Sequence, residues 1–187
     1  MQCSFVAREV VQYYHNRDTD VFVTLLDASK AFDRVEYVAL FRNLVRKGVC
    51  PIITRFLLSL YTCQQIRVRW GGAHTDRFDA TNGVKQGGVL SPLLFSLYLE
   101  PLLQQLSASG FGCWVGSTFC GALAYADDVV LLAPTVFAVE QQLKICCEYA
   151  REYKVLFNAS KSKFIPLYHH HAPSRPLRQV HLMGDPI

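Results

Sequence analysis

Two adjacent carboxylates, Asp127 and Asp128, stand between two apolar runs of the 187-residue chain. Gly121-Ala122-Leu123-Ala124-Tyr125 precedes Ala126 and the pair, and Val129-Val130-Leu131-Leu132-Ala133 follows it. Each flank has the length of a buried strand, so the pair is predicted to sit at a tight hairpin turn. Two ionised carboxylates about 4 Å apart repel by roughly 4 kcal/mol at an effective dielectric near 20. A divalent cation removes that repulsion, and oxygen-only ligands suit Mg2+. Asp-Asp is also ordinary turn chemistry, since Asp tolerates left-handed backbone, and the pair by itself is compatible with that reading.

A further carboxylate shifts the balance. Val21-Phe22-Val23-Thr24-Leu25-Leu26 is a strand-like run rich in β-branched residues, and it ends directly in Asp27. An Asp at the end of a buried strand has little structural reason to be there. Asp33, by contrast, is followed three residues on by Glu36 and reads as the cap of a helix that Gly48 stops. If the two strands lie side by side, Asp27 meets Asp127 across about one hundred residues of chain. Carboxylates so placed would form a two-metal clamp that activates an attacking hydroxyl and stabilises a leaving oxygen in phosphoryl transfer.

Three segments, in order, resemble a known family. Leu25-Leu26-Asp27-Ala28-Ser29-Lys30-Ala31-Phe32-Asp33 is similar to the first catalytic motif of reverse transcriptases. Gln86-Gly87-Gly88-Val89-Leu90-Ser91-Pro92-Leu93-Leu94-Phe95 resembles their primer/template and nucleotide-positioning motif, and Tyr125-Ala126-Asp127-Asp128 their metal-binding box. Order, spacing and the Ala126 in that box most resemble the non-LTR (LINE-like) retrotransposon enzymes, over about Gln2 to Gly184.

The resemblance implies a function, RNA-templated DNA synthesis, in which a primer 3′-hydroxyl attacks a dNTP. Its partners would be an RNA template, a DNA primer and the dNTP. Asp27, Asp127 and Asp128 would be catalytic and would hold two Mg2+ ions, with Mn2+ as a possible substitute, and the Ala28 carbonyl would add a backbone ligand. Phe32 would lie beneath the sugar and exclude a 2′-hydroxyl, although its own pattern equally suits a core aromatic. Gln86 and Gly87 would position nucleotide and template. Asn158 and Lys161 match a later motif of the family, and Lys161 would protonate departing pyrophosphate as a general acid; an exposed cationic turn explains it as well. His181-Leu182-Met183-Gly184 is a degraded likeness of the primer-grip opening.

The elements that must hold these residues are legible from periodicity. Helices are predicted over 4–16, 34–47, 52–63, 92–106 and 136–153. Strands are predicted over 21–26, 66–70, 75–79, 111–115, 121–126, 129–133, 154–158 and 163–167. Ser91 is read as a hydroxyl cap with Pro92 at the first helical position, and the following apolar helix as buried beneath the active site. Helices segregated on a mainly antiparallel sheet make an α+β fold, in agreement with a polymerase palm. Arg67 and Arg69 alternate along one predicted strand and could meet phosphates there, or form a solvated sheet face.

Composition bounds the rest. A chain that is 51% hydrophobic buries one large core, and a net charge of +4 is compatible with nucleic acid without demanding it. Seven cysteines, none in Cys-x-x-Cys spacing, indicate reduced thiols in an intracellular protein of nucleus or cytoplasm. The longest charge-free apolar run, about 129–139, contains Pro134 and is too short for a bilayer, so no membrane partner is expected. His169-His170-His171 is read as a solvated loop rather than a zinc site, because adjacent side chains on a strand or helix cannot all face one ion. Nothing in the chain signals an oligomeric state.

The whole chain, 1–187, reads as one reverse transcriptase domain fragment. It holds a palm, partial fingers at about 41–79, and at about 168–187 a loop leading into the primer-grip region. No thumb or endonuclease is expected within it. An RNA-templated RNA polymerase would usually carry Gly before the Asp pair and a smaller residue at position 32. The rival of another class is a catalytically silent remnant that at most binds nucleic acid or a protein.

Overall fold

The computed structural model describes residues 2–170 and 179–187. In chain order it begins with α1 (Gln2–His15), β1 (Val21–Asp27), a 3-10 turn (Phe32–Arg34), α2 (Tyr37–Arg46) and α3 (Pro51–Thr62). Four two-residue strands follow: β2 (Gln65–Ile66), β3 (Arg69–Trp70), β4 (Ala73–His74) and β5 (Phe78–Asp79). Then come α4 (Ser91–Ala108), β6 (Trp114–Val115), β7 (Thr118–Phe119), β8 (Ala122–Tyr125) and β9 (Asp128–Ala133). The chain closes with α5 (Val136–Glu152), β10 (Lys163–Leu167), β11 (His181–Leu182) and β12 (Asp185–Pro186). His171, with the rest of the Pro- and His-rich stretch to 178, lies outside the described residues.

The chain divides into two compact units, Met1–Ser29 with Glu100–Ile187, and Lys30–Leu99. The first is built on a four-stranded antiparallel sheet of order β10-β1-β9-β8. β1 is central and its alternation explains both faces. Phe22, Thr24 and Leu26 pair with Ala133, Leu131 and Val129, and all six are buried. Val21 and Val23 point the other way, where Val23 pairs with Leu132, and with Leu132 and Val130 they pack against Val6, Val10 and Tyr14 of α1. α5 contacts β1 and β9, and it presents Ala138, Val139, Gln142, Leu143, Cys146, Tyr149 and Ala150 at helical spacing as its buried stripe. Thr135 caps it, the hydroxyl oxygen accepting from the Ala138 N–H at 3.1 Å. Burial pushes the Cys113 thiol up to about 12 and raises that of Cys146 further, so both stay protonated and inert.

The second unit holds α2, α3, the short β-ribbons and the start of α4. Its apolar centre includes Leu40, Leu44, Leu57, Leu94, Phe95 and Tyr98. Tyr37 and Tyr61 meet edge to face, their centroids 5.9 Å apart. The partial fingers drawn at 41–79 fall inside this unit, which runs further on both sides.

Several elements differ from expectation for identifiable reasons. Asp33 and Glu36 do not form a capping pair. Asp33 lies inside the 3-10 turn, and Glu36 occupies the N-cap of α2 without a side-chain bond. Gly48, with φ of 73°, does end α2 in the left-handed conformation. The strand predicted over 66–70 breaks at 67–68, where Arg67 Nε donates to the Thr75 carbonyl at 3.1 Å, so its guanidinium is tied to the ribbon. The predicted strand 111–115 shrinks to one arm of the β6–β7 hairpin. Residues 154–158 make only a single bridge, Phe157 with Ala28. α4 is not buried all round, since Leu93 is exposed. Among the described residues no helix is long and apolar enough to cross a membrane.

The buried polar groups left without a partner include one at the centre of the sheet. Thr24 Oγ1 lies in the sheet centre with no hydrogen-bond partner, a condition that costs about 1–3 kcal/mol. Thr24→Val, which keeps the shape and removes the hydroxyl, should raise unfolding stability by about 1 kcal/mol, measured by urea denaturation.

Candidate active site

β1 and β9 bring the two acidic ends of their strands together. Asp27 lies directly opposite Asp128 in the antiparallel register, and Tyr125 of β8 lies opposite Asp128 on the other side. Directly opposite residues share a face, so Tyr125, Asp128 and Asp27 form one row across three strands. The adjacent row is Leu123, Val130, Leu25 and Lys163. α1 covers this face toward Val21 and Leu132. Toward the acidic end the cover stops, leaving Leu25 and Tyr125 exposed. An open cleft of about 350 Å³ remains there, lined by Leu25, Asp27, Asp128, Val130, Lys161 and Lys163 among others.

This register corrects one expectation: the residue that meets Asp27 is Asp128, not Asp127. Asp127 occupies the second position of the two-residue turn Ala126-Asp127 that joins β8 to β9. Side chains alternate along a strand, so a shift of one residue changes which carboxylate faces the cleft. Ala126 has φ of +52°. Positive φ at the first loop position is the pattern of a type II′ turn, where glycine is usual.

Asp27 is held by the segment after α5. Its backbone carbonyl accepts from the Asn158 N–H at 2.8 Å. Its backbone N–H donates to Ser162 Oγ at 3.3 Å, and that hydroxyl donates to the Asn158 carbonyl at 2.8 Å. Lys161, in the same turn, places its Nζ 4.0 Å from Asp27 Oδ2, with side chains 67% and 35% exposed respectively. So exposed a pair adds about 0–1 kcal/mol to stability. The Ala28–Phe157 bridge is closed by the flanking residues, through Ser29 N–H to the Leu156 carbonyl and Asn158 N–H to the Asp27 carbonyl. Ala28's own carbonyl is therefore not spent on it.

The remaining predicted residues belong to the second unit. Phe32 stacks on the buried ring of Phe95, centroids 4.9 Å apart and planes at 22°, and is itself half-buried. Gln86 and Gly87 are the exposed central residues of a turn closed by Gly88 N–H to the Lys85 carbonyl at 2.9 Å. Gly87 has φ of +81°, as the third residue of a type II turn requires. Ser91 does not cap α4 as expected, for its hydroxyl donates back to the Lys85 carbonyl at 2.6 Å and fastens the turn.

Sequence reasoning missed Ser162, Lys163 and Tyr125 as parts of the site. Tyr125 and Lys163 become visible only with the register, and Ser162 carries no signal of its own. The donors on the cleft are oxygens, which fit a hard divalent cation. Asp27, Asp127 and Asp128 do not close into one tight cage. Among the described residues only Asp18, His169 and His170 bring three such ligand atoms within 4.8 Å of one another. An open carboxylate pair still suits Mg2+, which keeps waters and takes substrate phosphates as ligands.

The antiparallel sheet with its acidic edge is the palm of a nucleic-acid polymerase. The chain belongs to the reverse transcriptase (RNA-dependent DNA polymerase) family, whose model matches residues 2–184. It is 30% identical over 152 residues to the Pol polyprotein of the type-2 retrotransposable element R2DM of Drosophila melanogaster, which covers 81% of this chain and 14% of that protein. A Pol polyprotein of a type-1 retrotransposable element of Popillia japonica is 33% identical over 140 residues, 74% of this chain and 23% of its own length. These relatives are non-LTR retrotransposon proteins, and the chain spans under a quarter of either. Among solved structures, apo telomerase from Candida tropicalis matches with a TM-score of 0.66 at 16% identity, over 93% of this chain and 35% of that one. That likeness is one of fold.

The turn makes a testable demand. A β-branched residue tolerates positive φ least, so Ala126→Val should lower unfolding stability by about 1–2 kcal/mol. Ala126→Gly should not lower it, and chemical denaturation of the two variants checks both.

Proposed function

We propose that this domain carries out RNA-templated DNA synthesis, joining a dNTP to a primer 3′-hydroxyl. The observation that supports it most is the Asp27–Asp128 pairing at an open cleft, with Asp127 in the adjoining turn. Asp27 and Asp128, with Asp127 and the Ala28 carbonyl, would hold two Mg2+ ions, or Mn2+ in their place. When bound, the ions supply charge neutralisation at the reacting phosphate and lower the hydroxyl's pKa. The primer oxygen bonds to the α-phosphorus, the bond to pyrophosphate breaks, and the hydroxyl proton passes to water. Lys161, 4.0 Å from Asp27, gives a proton to the departing pyrophosphate.

Template, primer and dNTP are the partners this reaction needs. Gln86 and Gly87 present an exposed backbone turn, which suits close approach to nucleotide or template. The β11–β12 hairpin, whose loop residues Met183 and Gly184 both have positive φ, corresponds to the primer-grip opening. Phe32 follows Asp27 by five residues, and Phe95 fixes its ring by stacking. We assign it the exclusion of the ribose 2′-hydroxyl, and the second unit, Lys30–Leu99, a fingers role.

Primer extension on poly(A)/oligo(dT) with Mg2+ and dTTP tests the reaction. Synthesis should fall by at least about a hundredfold in Asp128→Asn, with folding unchanged because the side chain is exposed. Soluble, folded wild-type protein that extends no primer would make the domain a silent remnant. For Phe32→Val, the ratio of kcat/KM for ribo- over deoxynucleotide should rise by roughly tenfold or more. An unchanged ratio in an active variant would return Phe32 to the apolar core.

A further inference from the structure

Asp18, His169 and His170 converge at the opposite end of β1 from the carboxylate cleft. Asp18 ends the turn after α1 in left-handed backbone, with φ of 55°. His169 and His170 lie just beyond β10. The ladder brings these two places together, because Val21 at the start of β1 pairs with Leu167 at the end of β10. His169 N–H donates to Asp20 Oδ1 at 2.9 Å, and His15 Nε2 lies 3.1 Å from the Leu167 carbonyl. Both contacts tie the β10 exit to the α1–β1 turn.

The side chains there have an unmet need. Nδ1 of His169 is buried with no hydrogen-bond partner. It lies 3.6 Å from Asp18 Oδ1, too far for a hydrogen bond. The ring of His170 approaches that of His169, their centroids 3.9 Å apart at 66°. One ligand atom from each of the three residues lies within 4.8 Å of the other two. Three adjacent histidines on a regular strand could not share an ion, but the bend after β10 turns two of them together and Asp18 supplies the third donor.

We propose that Asp18, His169 and His170 form a site for a borderline transition-metal dication such as Zn2+. Two imidazole nitrogens and one carboxylate oxygen suit Zn2+, Co2+, Ni2+ or Cu2+ and not Mg2+. Ligand atoms around a tetrahedral ion with bonds near 2.1 Å stand about 3.4 Å apart. Asp18, whose side chain is 85% exposed, and the exposed His170 can close that gap by rotating. The fourth position is left to water. The ion staples the α1–β1 turn to the exit of β10, and the site shares no residue with the Asp27–Asp128 cleft.

The test titrates Co2+ and then Zn2+ into chelator-treated protein and into Asp18→Ala and His169→Ala variants. Asp18→Ala removes an exposed side chain, so its fold is safe. Wild type should bind one Co2+ with visible bands of tetrahedral coordination and no thiolate charge-transfer band, and Zn2+ should displace it. Each variant should bind at least tenfold more weakly, and Zn2+ should raise the melting temperature of wild type but not of Asp18→Ala. Equal affinity in wild type and Asp18→Ala would mean binding by the histidine run alone and would overturn the site. So would a thiolate band, which would place the ion on cysteine.

Discussion

The pairing of β1 with β9 is the interaction on which the rest depends. One register does two jobs that conflict chemically. It seals Phe22, Thr24 and Leu26 against Ala133, Leu131 and Val129, and it sets two carboxylates side by side at the open end. Each apolar side chain fully removed from water contributes about 1.5–3 kcal/mol, so the ladder's buried length dominates the mutual repulsion of one exposed acidic pair. A slip by one residue would exchange the two faces of the strand, turning Leu26 toward the open end and Asp27 toward the core. Stability and site geometry are therefore locked to the same alignment, and neither can drift without the other.

Much of this was legible beforehand. The runs on either side of Asp127-Asp128 and ahead of Asp27 announced strands, and the family motifs placed the carboxylates together. The identity of the facing residue was not legible. A two-residue turn and a three-residue turn differ by one position, and that position decides between Asp127 and Asp128. Ala126 hid the shorter turn, because a glycine would ordinarily advertise positive φ. The capping readings of Asp33 and Ser91 failed for a related reason. Both side chains have a local motif that suits a cap, but Asp33 falls inside the 3-10 turn, and the Ser91 hydroxyl donates to the Lys85 carbonyl of the preceding turn instead. The short ribbons between Gln65 and Asp79 lie below the length at which alternation is informative.

Asp27 also shows how a strand end is made rigid. Its flanks are fixed by backbone groups of Asn158 and by the Ser162 hydroxyl, while its side chain faces the cleft. Polar segments after α5 thus do for the first carboxylate what the tight turn does for Asp127 and Asp128. The later motif is linked to Asp27 by direct contact, since Asn158 and Lys161 belong to the turn that grips it.

The central place of β1 has a consequence in time. Its two sheet neighbours, β9 and β10, lie roughly one hundred residues or more downstream. At about 5–20 residues per second, synthesis leaves β1 unpaired for on the order of ten seconds. Val21 to Leu26 carries no charge and no proline, the composition that favours strand-to-strand association between chains. The same topology that builds the acidic cleft thus leaves an association-prone strand waiting for its partners during synthesis.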